Sequence, residues 1–288
     1  MKWEQERQSD NVEDQRGGSS VASGGIKLGG GAIILILLFS LITKQNPLTL
    51  LSLLTQQQSG PTTTTPGQPS GTPADDRQKQ FVSAILASTE DIWGEIFSTM
   101  NRTYERPHLV LFTAEVQSAC GLSSSAVGPF YCPGDSKVYL DLGFFQELSQ
   151  RFGAPGDFAQ AYVIAHEVGH HVQNQLGISA KVDQVRQRAS EQENNALSVR
   201  LELQADCFAG VWGNRANREK KMLEPGDVEE GLAAAAAVGD DTLQRSAGRA
   251  VTPESWTHGS SAMRTRWFTR GFNSGDLNTC DTFGTNQL

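Results

Sequence analysis

A mainly helical α+β domain with a small sheet, preceded by one transmembrane helix, is the fold class this sequence predicts. Three observations carry it. Apolar residues recur at helical spacing through several long segments, and only two short runs, 108–116 and 137–142, are rich in β-branched and aromatic residues. An uncharged apolar stretch also separates a polar N-terminus from everything after it. With 288 residues, 38% of them hydrophobic, the chain has enough material for a core in one large domain.

Charge and composition exclude several classes. The 24 Lys+Arg against 32 Asp+Glu leave a net charge of −8, so no nucleic-acid partner is expected, because such proteins carry a basic face. The 29 glycines follow no period, the charged fraction of 19% is low for a coiled coil, and four cysteines are too few for a disulfide scaffold.

Residues 1–27 are polar and Gly/Ser-rich and read as a flexible cytoplasmic tail. Residues 28–44 read as the transmembrane helix. The 16 residues between Lys27 and Lys44 carry no charge, and span about 24 Å as a helix, so an extension to residue 54 through the apolar 47–54 stretch stays open. A 27-residue leader with no small-x-small site argues against a cleaved signal peptide. Lys2, Arg7, Arg16 and Lys27 precede the span and only Lys44 follows closely. The expected arrangement is therefore single-pass in the cell membrane, N-terminus cytoplasmic and folded domain extracytoplasmic, with the membrane as partner through this helix. The Gln/Thr/Pro/Gly-rich segment 55–76 is an extended linker, which places the domain at 77–288.

Within that domain Phe81, Ile85, Ile92, Ile96 and Met100 predict a helix over 77–101. Strands follow at 108–116 and 137–142, either of which is a candidate edge for docking an extended peptide. Long helices are predicted at 161–176 and 191–212, shorter ones at 226–238 and 261–270, with Gly177 suited to a C-cap. Thr252-Pro253 predicts a short turn or helix start. Cys120, Cys132, Cys207 and Cys280 are disulfide candidates; four cysteines allow three pairings, of which local pairing is preferred, with free thiols the alternative.

The stretch 161–177 carries the chemistry. His166 and His170, four residues apart on one helix face, present two imidazoles to one ion. Zn²⁺ takes tetrahedral N/O ligands, and a catalytic site keeps one position for water. Glu167 lies beside that position, suited to move a proton from the water to a leaving amine. The metzincin continuation needs Gly at 173 and His at 176, where this chain has Gln173 and Leu176, so that branch is excluded. Some 32 residues after His170, Glu202 and Asp206 are again four apart, amid Leu201, Leu203, Ala205 and Phe208, an apolar setting that is costly for unpaired carboxylates. This spacing resembles that of the gluzincins, whose Glu is the third zinc ligand and whose Asp orients a ligand histidine from behind.

The blocks SACG…FYCPGDSKVYLDLGFF, AHEVGHHVQNQLG, RLELQADCFAGVW and THGSSAMRTRWFTRGF, in that order over most of 77–288, resemble the neutral zinc metallopeptidases, membrane-anchored bacterial proteins of gluzincin type. The resemblance implies a zincin-like metallopeptidase domain with one Zn²⁺ per chain. It implies His166, His170 and Glu202 as ligands, Glu167 as base and Asp206 behind the ligands, acting on a protein or peptide substrate, with endopeptidase action preferred. His171 points about 100° away from His170 around the helix and is expected to be structural. His258, in a late turn, is a candidate for stabilising the tetrahedral oxyanion, with a plain surface or capping role equally open. Arg264 and Arg266 are further candidates to assist there, with pairing to acidic residues preferred. The competing reading is a membrane-tethered, zinc-containing binding or chaperone-like module without proteolytic activity, its fourth position closed by a further ligand such as His171.

Overall fold

A computed structural model describes residues 1–17 and 73–288. Helix α1 (Pro73–Thr99) starts four residues before the expected boundary, and its Phe81, Ile85, Trp93 and Phe97 face the core. Four strands form the main sheet: β1 (Val12–Asp14), β2 (His108–Phe112), β5 (Phe130–Cys132) and β6 (Lys137–Asp141), in the order β1-β2-β6-β5. β1, β2 and β6 run parallel, and β5 is antiparallel to β6. The remaining two strands, β3 (Glu115–Ser118) and β4 (Gly121–Ser124), make a separate antiparallel hairpin. Alternation along β2 and β6 explains why both are buried. Leu109, Leu111, Val138 and Leu140 point to the helices, while Val110, Phe112 and Tyr139 fill a smaller core with Val116 and Cys132. Because β2 and β6 are interior strands, neither is a sheet edge; that expectation is corrected in favour of β5, whose Tyr131 reaches the helix beneath.

The helical layer comprises α2 (Gly143–Gln150), α3 (Asp157–Gln175), α4 (Ile178–Arg186), α5 (Glu191–Lys220), α6 (Asp227–Ala237), α7 (Asp240–Ser246) and α8 (Ser261–Ser274). α3 is buried along most of its length, and Gly177, in the left-handed region, turns the chain into α4. A capping box of Ser190 and Glu193 opens α5, which runs eight residues beyond its expected end. α8 presses onto α5 through glycines: a Cβ on Gly271 would strike the Cys207 carbonyl, and one on Gly210 the Phe268 carbonyl. The local cysteine pairing is the one formed, Cys120–Cys132 beside the hairpin and Cys207–Cys280 between α5 and the C-terminal segment.

The N-terminal residues depart most from expectation. Met1–Arg16 belong to the same compact unit as the domain. Trp3 packs edge-on against Phe81, and β1 pairs with β2 through Val12–Leu109, Glu13–Val110 and Asp14–Leu111. The buried Glu90 of α1 accepts hydrogen bonds from Arg7, Ser9 and Asn11 at 2.7, 2.6 and 2.7 Å. Composition missed this because the anchors are single residues whose partners lie far along the chain.

The transmembrane helix predicted over 28–44, its extension to 54 and most of the 55–76 linker lie outside the described residues. Among the described residues no helix is long and apolar enough to cross a membrane. The single-pass arrangement is also contradicted by β1, because one crossing between β1 and β2 would leave the paired strands on opposite faces of a bilayer. The cytoplasmic tail, the cell-membrane location and the membrane partnership through an N-terminal helix are accordingly corrected.

Candidate metal centre

His166 and His170 lie one turn apart on α3, with ring centroids 4.8 Å apart. Between them sits Gly169, where a Cβ would lie 3.0 Å from the Ala205 carbonyl oxygen and 3.1 Å from its Cα. The glycine thus lets α5 approach until Glu202 and Asp206 reach the imidazoles. Glu202 places Oε2 3.2 Å from His166 Nε2 and Oε1 3.3 Å from His170 Nε2. Corners of a tetrahedron around an ion bound at about 2.0 Å stand roughly 3.3 Å apart; each nitrogen–oxygen distance is near that, and two imidazoles with a carboxylate are a donor set that zinc takes. Of the sequence candidates, His166, His170 and Glu202 form one group with ligand atoms within 4.8 Å of one another; His171 and His258 are not in it.

Each imidazole is held from behind. His166 Nδ1 lies 2.9 Å from Asp206 Oδ1, and His170 Nδ1 lies 2.9 Å from Gln173 Oε1. Both partners accept, so both Nδ1 atoms carry a proton and both Nε2 atoms are turned toward Glu202. Gln173 is itself fixed by donating to the Leu201 carbonyl at 2.7 Å and to Gln204 Oε1 at 3.1 Å. Asp206 is fully buried; it accepts from Tyr162 Oη at 2.5 Å and from Arg264 Nε and Nη2 at 2.9 Å each. Sequence reasoning used position 173 only to exclude a motif and left Arg264 as a generic ion pair. The signal for Gln173 was its place one turn beyond His170, whereas Arg264 and Tyr162 had none.

Burial opposes charge throughout this cluster, and the neighbours decide the outcome. For His166 burial alone would lower the pKa, but Asp206 and Glu202 outweigh it and hold it at about 10. Burial resists ionisation of Glu202 as well, yet the two imidazoles hold it well below the usual carboxylate range. Asp206 is likewise held down, against burial, by Arg264 and His166. Glu167 goes the other way: burial pushes it up, only partly countered by His166 and His170.

His171 turns away from the donors, with Nδ1 3.1 Å from Tyr131 Oη and Nε2 2.7 Å from the Glu105 carbonyl. It ties α3 to β5. His258 lies half-exposed in the loop before α8. Asp240, which sequence reading missed, organises that loop. Its Oδ2 accepts the backbone N–H groups of Thr257, His258 and Gly259 at 2.8, 2.7 and 2.9 Å, and its Oδ1 lies 3.1 Å from His258 Nδ1. The Asp240 hydrogen bond raises the His258 pKa against burial, and the Glu202 charge adds to that rise.

Residues 1–283 match the family model described as "Putative neutral zinc metallopeptidase". The chain is 48% identical to "Uncharacterized protein YpfJ" of Escherichia coli (strain K12) over 297 aligned positions, covering 99% of each chain. It is 45% identical to "Uncharacterized protein Rv2575" of Mycobacterium tuberculosis (strain ATCC 25618 / H37Rv) over 219 positions, 73% of each. No solved structure matches.

Proposed function

This chain belongs to the neutral zinc metallopeptidase family, and from that premise we propose that it hydrolyses peptide bonds in protein or peptide substrates with Glu167 as general base. His166, His170 and Glu202 would hold the ion. Bound there, zinc supplies Lewis acidity toward a carbonyl oxygen and acidifies a water. Glu167, its pKa raised by burial, accepts the proton of the attacking water and delivers it to the leaving amine. His258, its Nδ1 engaged by Asp240, has its other ring nitrogen free to donate to the developing oxyanion. β5 is a sheet edge tied to α3 through Tyr131, and an extended segment pairing with it by backbone hydrogen bonds suits cleavage of internal bonds.

The observation that carries the reading is the spacing of the three donor atoms, with Glu167 buried on the same helix under the influence of both imidazoles. The non-proteolytic alternative needs a further ligand such as His171, and that ring is engaged by Tyr131 and Glu105. The test compares the full-length chain with Glu167→Gln on reduced casein. Glu167→Gln is expected to keep its zinc and lose about 10²–10⁴-fold in hydrolysis. Equal rates in the two proteins contradict the assignment of the base, and zinc-loaded wild type that cleaves nothing favours the binding module.

A further inference from the structure

We propose that Arg264 is a positioning residue of the metal centre, whose guanidinium locks the Asp206 carboxylate onto His166 so that His166 presents Nε2 beside Glu202. The proposal rests on the metal-site reading above and extends it to a helix that contributes no ligand.

Arg264 is 3% exposed, so it acts from beneath the site, out of reach of a substrate. Its Nε donates to Asp206 Oδ2 and its Nη2 to Oδ1, both at 2.9 Å, the planar fork-on-fork arrangement that only Arg makes with a carboxylate. A carboxylate held at one oxygen can rotate about its last bond; held at both it cannot. Rotation is what has to be prevented here, because Oδ1 is the atom that meets His166 Nδ1 at 2.9 Å. Tyr162 Oη, 2.5 Å from the same oxygen and 3.1 Å from Arg264 Nη2, braces both groups.

The guanidinium also settles the charge. Asp206 has no exposure, and a buried carboxylate with only an imidazole and a phenol for company would be undercompensated. Arg264 supplies the cation while its Nη2 stands 3.4 Å from His166 Nδ1 and 3.9 Å from Glu202 Oε2. Since both nitrogens of the first pair carry protons, that approach is a contact and not a hydrogen bond. Its delivery is rigid. Arg264 lies in the first turn of α8, capped by Ser260, and α8 is pressed onto α5 at Gly271 while Cys207–Cys280 fastens the segment beyond. The orientation of His166 is therefore set in part by how α8 packs.

Arg264→Lys keeps the charge and removes the fork. In full-length protein shown folded by circular dichroism, it is expected to bind zinc 10–100-fold more weakly in chelator competition, and the visible spectrum of its Co²⁺ form is expected to shift. Asp206→Asn combined with Arg264→Met, which removes both charges and guards against a simple folding failure, should bind zinc no more weakly than Asp206→Asn alone, because the pair acts as one unit. Wild-type zinc affinity and an unchanged Co²⁺ spectrum in Arg264→Lys would overturn the proposal and leave a structural ion pair. So would a double variant weakened by the product of two separate losses. Wild type that binds zinc yet cleaves nothing would sink the peptidase reading alone, since every readout here is metal binding.

Discussion

The α3–α5 pair and the N-terminal arm use the same interactions, carboxylates met by fixed donors, but only in the first are the participants grouped at helical spacing along the sequence. Around the candidate donors, residues three or four apart share one helix face, His166 with His170 and Gln173 on α3 and Glu202 with Asp206 on α5, and the two faces then meet at His166–Glu202 and His166–Asp206, 36 and 40 positions apart. In the arm, Ser9 meets Glu90 across 81 positions and the Met1 amino group meets Asp157 across 156. Helical period projects the first kind of contact onto the sequence. Nothing projects the second.

Substitutions that load one region and spare the other break the comparison most directly. Glu90→Ala leaves Arg7, Ser9 and Asn11 without their shared acceptor and is expected to cost about 2–3 kcal/mol in urea denaturation. Glu115→Ala, at an exposed strand position, should stay within about 0.5 kcal/mol. Equal midpoints for the two would mean that the arm adds nothing to the folded unit. Gln173→Ala frees the His170 ring and should weaken zinc binding about tenfold, with some loss of midpoint as well because Gln173 is buried and bonded to Leu201 and Gln204; chelator competition on the folded protein reads it, and an unchanged affinity would remove Gln173 from the site.

The smallest expected effect concerns pH. The folded-state pKa of His258 is raised by Asp240, so the pair's stabilisation is complete below the unfolded value near 6.5 and fades as pH rises through the folded value. Asp240 is held below its ordinary value, burial notwithstanding, by the same partner, so the pair also weakens in strong acid. His258→Gln should therefore lower the melting free energy by about 0.2–1 kcal/mol near pH 6 and by less at pH 9. A gap that grows with pH contradicts that ion pair.

How much could be read beforehand follows the same division. That His166 and His170 share one face of α3, and Glu202 and Asp206 one face of α5, was legible because both helices are long and regular. The strands expected at 108–116 and 137–142 were legible from their β-branched and aromatic content, although the first runs past β2 into β3; their interior positions were not, since strand order depends on β1 and β5, three residues each. Helix α2 escaped notice because Phe144, Phe145 and Leu148 follow a strand without a break in polarity, and α7 because it buries none of its seven residues. Asp240 was invisible for a further reason: its value lies in three backbone donors 17 to 19 positions away. Position 169 is the converse case, a glycine inside the most legible motif whose role emerges only when Ala205 arrives against it.

The central claim is that an acid on α5 and two imidazoles on α3 grip one divalent ion. Elemental analysis of full-length wild type, His170→Ala and Glu202→Ala after the same mild chelation tests it most directly. The account expects about one zinc per wild-type chain and substantial loss from both variants. Glu202→Ala that retains zinc as tightly as wild type would contradict it, because the ion would then be held without the residue that joins the two helices.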